Sequence, residues 1–142
     1  MDVLLIGSRG REHAIALELK KDHRIETIFC IPGNGGLEDI ATCVKISVTD
    51  FDKILEFLDD NPSIKLTIVN PDESLSGGLV ELLNSHGHRA FGCNAAAAQL
   101  ESSKSFAHNL CKKYGIPSPQ YVVFNDYTRA KKYSQIQKYP LV

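Results

Sequence analysis

Long stretches of a single character are missing from this sequence. No apolar run in its 142 residues approaches the roughly 20 needed to span a bilayer. Basic residues never run beyond pairs such as Lys112–Lys113, and 16 Lys and Arg against 17 Asp and Glu leave a net charge of −1. A nucleic-acid module would carry a basic stripe, so neither nucleic acid nor a membrane is an expected partner. The amino terminus has neither a basic segment nor a small-residue cleavage site, and the cytoplasm is the expected compartment. No C-x-x-C pair occurs among Cys30, Cys43, Cys93 and Cys111, and no Cys/His spacing suits a metal. Three of the four cysteines lie in apolar segments, and the group reads as buried reduced thiols.

What is present is an alternation of strand and helix patterns. "DVLLIG" is a continuous apolar run, as a strand covered on both faces requires. In "REHAIALELKK" a helical period runs through Ala14 and Leu17, widened by Ile15 and Leu19. "RIETIFCI" reads as a second strand, closed by the turn-rich Pro32 to Gly36. "CVKISV" reads as a short third strand. Thr49 stands three residues before Asp52, a capping-box spacing, and Phe51, Ile54, Leu55 and Leu58 form one helical face stopped at Asn61-Pro62. "KLTIVN" is a buried strand, "GLVELLNSHG" a helix with Gly87 at its C-cap, and "HRAFG" a short strand. Single helices between strands imply parallel βαβ units and a doubly wound sheet. Beyond it, "AAAAQLESSKSFAHNLCKKYG" is helical with a break near Ser102, "QYVVF" a strand, "DYTRAKKYSQI" a helix, and "YPLV" the opening of a further strand with little to pair with. That last feature makes a fragment of a longer protein the expectation.

Ligands of an open α/β sheet sit beyond the carboxyl ends of its strands. Three loops reach that crevice: Gly7 to His13, Pro32 to Gly36 and Asn70 to Ser74. The first opens a helix whose free N–H groups and dipole favour an anion, phosphate above all. It is not a dinucleotide fingerprint, because Arg9 occupies the second glycine position of G-x-G-x-x-G and no carboxylate ends the second strand. Walker A fails for want of G-K-[ST]. A compact phosphate cradle beside an arginine and a histidine remains. Each residue also has an ordinary reading: Arg11 solvated, Glu12 favouring the helix dipole, His13 a half-buried helix residue.

Several strings together resemble one family. "GREHA" after the first strand, "PGN" after the second, "LTIVNPDESL" and "AFGCNAAAAQLESSKSFAHNLCKKYGIPS" are similar, in order and interval, to segments of phosphoribosylamine–glycine ligase, also called glycinamide ribonucleotide synthetase. The resemblance runs across all 142 residues. It implies a Rossmann-like pre-ATP-grasp domain over residues 1–101 and the start of an ATP-grasp domain over 102–142. It implies an enzyme of purine biosynthesis that joins 5-phosphoribosylamine and glycine with ATP and Mg²⁺ (or Mn²⁺) through a glycyl phosphate. By motif, Gly10, Arg11, Glu12, His13, Gly33, Asn34, Pro71 and Asp72 are implied to bind substrate, and Lys104 to contact ATP. Without the resemblance, Lys104 reads as a solvated lysine. The family's glycine-rich ATP loop and magnesium carboxylates have no counterpart here, so no catalytic residue, no metal ligand and no tightly bound cofactor is expected in this chain. By itself it is expected to lack ligase activity, and the remainder of the enzyme is an expected contact partner.

Three departures from the family bear on affinity. Arg9 replaces a glycine: if its backbone needs φ > 0 it costs about 1 kcal/mol, and if not its guanidinium is free to act as an added phosphate ligand. Asn70 also replaces a glycine, and Ser74 a proline. A competing function is a truncated, non-enzymatic module that binds a phosphorylated metabolite or a partner chain. A different ATP-grasp ligase is a third reading, opposed by the pairing of G-R-E-H-A with Q-L-E-x-S-K.

Overall fold

The computed structural model describes residues 1–141. It divides into two compact units, Met1–Ser102 and Ser103–Val142.

The first unit is built around one strand. β1 (Asp2–Gly7) is buried along its whole length. It pairs in parallel with β2 (Ile28–Pro32) on one side and with β4 (Ile64–Val69) on the other. β3 (Thr42–Cys43) and β5 (Ala90–Phe91) extend the sheet to five parallel strands in the order β3-β2-β1-β4-β5. Alternate residues of β1 feed opposite faces. Leu4 and Ile6 join Ile54 and Leu58 of α2 (Phe51–Asp60) and Leu79 and Leu83 of α4 (Leu79–Ser85). Val3 and Leu5 join Ala16 of α1 (Gly10–Leu19), Cys30 and Leu37. Each buried Val, Leu or Ile side chain contributes about 1.5–3 kcal/mol by leaving water, so helices on both faces are a consequence of β1 being apolar throughout. The expected α/β, doubly wound parallel sheet is the one found.

The connections depart from the expected pattern of single helices. β2 and β3 are joined without a helix. β4 and β5 are joined by two, α3 (Asp72–Ser76) and α4, and α5 (Ala95–Ser102) follows β5. β2 starts at Ile28 and not at Arg24, because Asp22 accepts the Arg24 N–H at 3.0 Å and its carbonyl accepts from Ile25, holding a turn there. The third strand is two residues long and ends at Cys43. Beyond it Ser47 and Thr49 bond each other, 2.9 Å between hydroxyls, and turn the chain into α2. The cap of α2 is Asp50, one residue after Thr49, and it accepts the Lys53 N–H at 3.3 Å.

The second unit holds α6 (Lys104–Tyr114), capped by Ser103, and α7 (Tyr127–Gln135), capped by Asp126. "QYVVF" at 120–124 is not a strand, since no strand among the described residues of this unit offers it an edge. Tyr121 instead stacks on His108, centroids 4.7 Å apart, and donates its hydroxyl to Asn109 Oδ1 at 2.6 Å. Residues 139–141 form no strand, and Val142 lies outside the described residues.

Candidate functional site

Strand order reverses at β1. The chain moves from β1 outward to β2 and β3, then returns to β4 on the other side. The loops leaving β1 and β4 must therefore part at their carboxyl ends, where Ile6 stands beside Val69. A cleft of about 100 Å³ opens there. Gly7, Ser8, Arg9, Arg11 and Glu12 line one side; Pro71 and Glu73 face them, with Val48 from the β3–α2 connection.

One buried carboxylate shapes the first wall. Glu12 is only 2% exposed, and its Oε2 accepts the Arg9 N–H at 2.6 Å. This satisfies a donor that the helix start leaves free, one half of a capping box. Gly7 makes room for it. Gly7 has φ +135°, and a Cβ there would fall 2.5 Å from Glu12 Cδ. With Glu12 turned inward, the buried face of α1 runs through Glu12, Ile15, Ala16 and Leu19, while Ala14 and Leu17 are exposed. That face shares Ile15 and Leu19 with the expected stripe but not Ala14 and Leu17. Arg9 itself has φ −105° and ψ −176°, so arginine carries no left-handed strain here. Asn70 is not in the left-handed region either. Neither the Arg9 nor the Arg11 guanidinium belongs to an ion pair among the described residues.

Gly33 and Asn34 brace this wall from behind. The Gly7 carbonyl accepts the Gly33 N–H at 3.2 Å and the Cys30 thiol at 3.3 Å. Asn34 Nδ2 donates to the Ser8 carbonyl at 2.7 Å, while its Oδ1 accepts from Gly36 and Leu37 at 2.9 and 3.1 Å. Gly33, at φ +72°, leaves space that Cys43 fills: a Cβ there would lie 2.2 Å from its Sγ. Burial pushes the Cys30 thiol up to about 12, so it stays a protonated donor. The buried-thiol expectation holds for Cys30 alone; Cys43 and Cys111 are half-buried and Cys93 is exposed.

The opposite wall starts at Pro71, which precedes α3. Ser74 is fully buried, and its hydroxyl donates to the Val48 carbonyl at 2.8 Å. Where the resembling family has a ring, this chain has a hydrogen bond that fixes Val48 against α3. Asp72 does not line the cleft; its Oδ1, like Asn70 Nδ2, is buried without a partner among the described residues. His13 is half-buried and also off the cleft, and Gly10 stands in open space at the first position of α1. Lys104 is exposed at the start of α6, in the second unit. So Arg11, Glu12 and Pro71 meet at the cleft, and Gly33 and Asn34 support it. Glu73 belonged to a loop already marked for the crevice; Val48 had no sequence signal, because only folding brings it there.

A wider hollow of about 590 Å³ lies at the amino ends of β4 and β5, near Lys65, His88 and Arg89. His88 is bonded to Asp59 at 2.9 Å, and Lys65 donates to the Pro62 carbonyl. Among the described residues no three His, Cys, Asp or Glu side chains converge to hold a metal. No helix among them is long and apolar enough to cross a membrane.

A five-stranded parallel sheet with helices on both faces, and a cleft lined in part by Arg9 and Arg11 at its switch point, defines a Rossmann-like α/β domain. Residues 1–101 match the family described as phosphoribosylglycinamide synthetase, N domain. The chain belongs to that family. It is 42% identical over 142 residues to a phosphoribosylamine–glycine ligase of Halalkalibacterium halodurans, covering all of this chain and 33% of that protein. It is 40% identical over 143 residues to the enzyme of that name from Streptococcus pneumoniae serotype 4, covering 34% of it. The crystal structure of phosphoribosylamine–glycine ligase from Thermotoga maritima superposes with a TM-score of 0.67 at 27% identity, over 95% of this chain and 30% of that one. N5-carboxyaminoimidazole ribonucleotide synthetase from Thermotoga maritima shares the fold, with a TM-score of 0.65 at 15% identity over 93% of this chain and 36% of that one. The chain thus spans about a third of the length of the curated relatives it matches.

Proposed function

We propose that this chain supplies the sugar-phosphate-binding part of a phosphoribosylamine–glycine ligase, an ATP-dependent enzyme of purine biosynthesis in the cytoplasm. Residues 1–101 serve as the substrate domain and 102–142 as the beginning of the ATP-grasp domain. The observation that carries the reading is the placement of Arg11 and the start of α1 at the β1/β4 cleft, in a chain whose family is the N domain of that enzyme.

The chain's own residues then act as a positioning device. The free N–H groups of α1 and the Arg11 guanidinium hold the phosphate of 5-phosphoribosylamine. Glu12 fixes the backbone of the loop. Gly33 and Asn34 hold that loop from behind, so it does not have to be ordered when substrate arrives. Pro71 and Asp72 begin the facing wall, and Gly10 and His13 belong to the helix start. ATP, with Mg²⁺ or Mn²⁺, supplies the phosphoryl group that activates glycine. Lys104, exposed and without an ion pair among the described residues, is suited to an ATP phosphate; no metal ligand is assigned within this chain. The chain alone does not clamp phosphates and metal together, and clamping is most of phosphoryl-transfer catalysis.

Two measurements test this. Isothermal titration with glycinamide ribonucleotide gives saturable binding that is lost with its dephosphorylated riboside; equal binding of both removes the phosphate role. The pure chain with phosphoribosylamine, glycine and ATP releases no substrate-dependent ADP; release above background refutes the assignment of catalysis to other parts of the enzyme. A second reading, a non-enzymatic module that engages a partner chain, draws on the exposed Tyr127, Ile136 and Tyr139. It predicts unchanged titrations when Arg11 is replaced.

A further inference from the structure

We propose that Arg9 is a second phosphate ligand and that this side chain makes the cleft attractive to a dianion. The inference rests on the sugar-phosphate reading of the cleft and goes beyond it to a residue that the family resemblance does not supply.

The backbone comes first. Arg9 is extended, so an arginine sits there without strain. Its N–H is already taken by Glu12 Oε2 at 2.6 Å. A loop residue ordinarily offers an anion its backbone donor, and here that donor is committed. What Arg9 has left to offer is its guanidinium: the residue lines the cleft, and the guanidinium has no ion-pair partner among the described residues. Five donors in a planar fork match the oxygens of a phosphate.

Charge decides the rest. The cleft is lined by Arg9 and Arg11 and by the carboxylates Glu12 and Glu73. Without Arg9, one guanidinium would face two carboxylates. The start of α1 adds roughly half a positive charge, which leaves the cleft about half a charge negative. A phosphate monoester carrying about −1.5 to −2 would be repelled. With Arg9 the side chains balance, and the helix tips the cleft positive before the ligand enters. Arg9 and Arg11 then share the phosphate, while Glu73 on the facing wall is left for the neutral, hydroxyl-bearing part of the sugar.

The test is a titration of the chain and its Arg9→Gln, Arg9→Lys and Arg11→Gln variants with ribose 5-phosphate, at low and high salt, with ribose as the uncharged control. Arg9→Gln should weaken ribose 5-phosphate binding about tenfold or more and flatten its salt dependence. Arg9→Lys should recover part of the loss, and the unfolding midpoint should stay put, since the Arg9 N–H bond to Glu12 survives. Wild-type affinity and wild-type salt dependence in Arg9→Gln would overturn the role of Arg9 and leave the site reading intact. Failure of the unmodified chain to bind the probe at millimolar concentration would overturn the site reading itself, and Arg9 with it.

Discussion

Gly7 and Glu12 are one feature divided between two residues. The glycine is needed because a carboxylate lies over it, and the carboxylate is buried because the glycine leaves room. Gly7→Ala should therefore cost about 2–4 kcal/mol, combining a positive-φ penalty with overpacking. In a Glu12→Ala background the same change should cost clearly less. A double-mutant cycle by urea denaturation measures that coupling; strict additivity would dissolve the pairing. Cys30 gives a second residue-scale test. Held as a thiol by burial, it should resist alkylation in the native chain at mildly alkaline pH, whereas the exposed Cys93 reacts. Peptide mapping after brief treatment distinguishes them. The burial of Glu12 was not legible in the sequence. A glutamate in a first helical turn ordinarily faces water and favours the dipole, and nothing in "GREHA" announces the space above Gly7. The position of Arg9 in the loop was legible; its φ was not, and that angle decides whether the arginine is a strain or a ligand.

Among the elements, the connections rather than the strands determine the cleft. Ser74 ties α3 to the chain entering α2, and Ser74→Ala should cost about 1 kcal/mol while freeing Val48 at the cleft edge. Hydrogen exchange should show the local part: faster exchange around 48–50 and 72–76, with β1 unchanged. Asn34→Ala removes the brace between two loops, including its bond to the Ser8 carbonyl of the cleft wall, and should weaken ligand binding although Asn34 itself does not line the cleft. The cap of α2 adds a pH dependence. The hydrogen bond from Lys53 holds the Asp50 carboxyl below its usual range. A carboxylate depressed in the folded state stabilises above its unfolded pKa, and that contribution is lost as pH falls through the folded one. Asp50→Asn should flatten the acid limb of thermal stability, by a small amount since the pair is exposed. The long elements were readable from apolar runs and period: β1, β4, α2 with Ile54 and Leu58 inward, and α4. α3 was not, being five polar-rich residues between Pro71 and Gly77. "QYVVF" carries a strand's residues without a strand's neighbour, so pattern and structure separate there.

At the scale of the whole molecule, the two units differ in how much they bury. The first has two apolar clusters on either side of a sheet. In the second, no residue of α6 or α7 is buried, and Tyr127 and Ile136 are 77% and 79% exposed. Stability follows buried contacts, so limited proteolysis should cut within 103–141 well before it cuts within 1–102; simultaneous loss would argue otherwise. A parallel, doubly wound sheet could be foreseen from the apolar runs and the helices between them; the order β3-β2-β1-β4-β5 and the switch at β1 could not, because strand pairing is fixed only in the folded chain. The central claim is that the cleft between β1 and β4, and not the wider hollow at the other end of the sheet, receives a sugar phosphate. Titrating the isotope-labelled chain with glycinamide ribonucleotide while following backbone amides tests it most directly. Saturable shifts are expected at Gly7 to His13 and at Glu73, weakened by Arg11→Ala and absent with glycine. Shifts confined to Lys65, His88 and Arg89, or none at millimolar ligand, would contradict it.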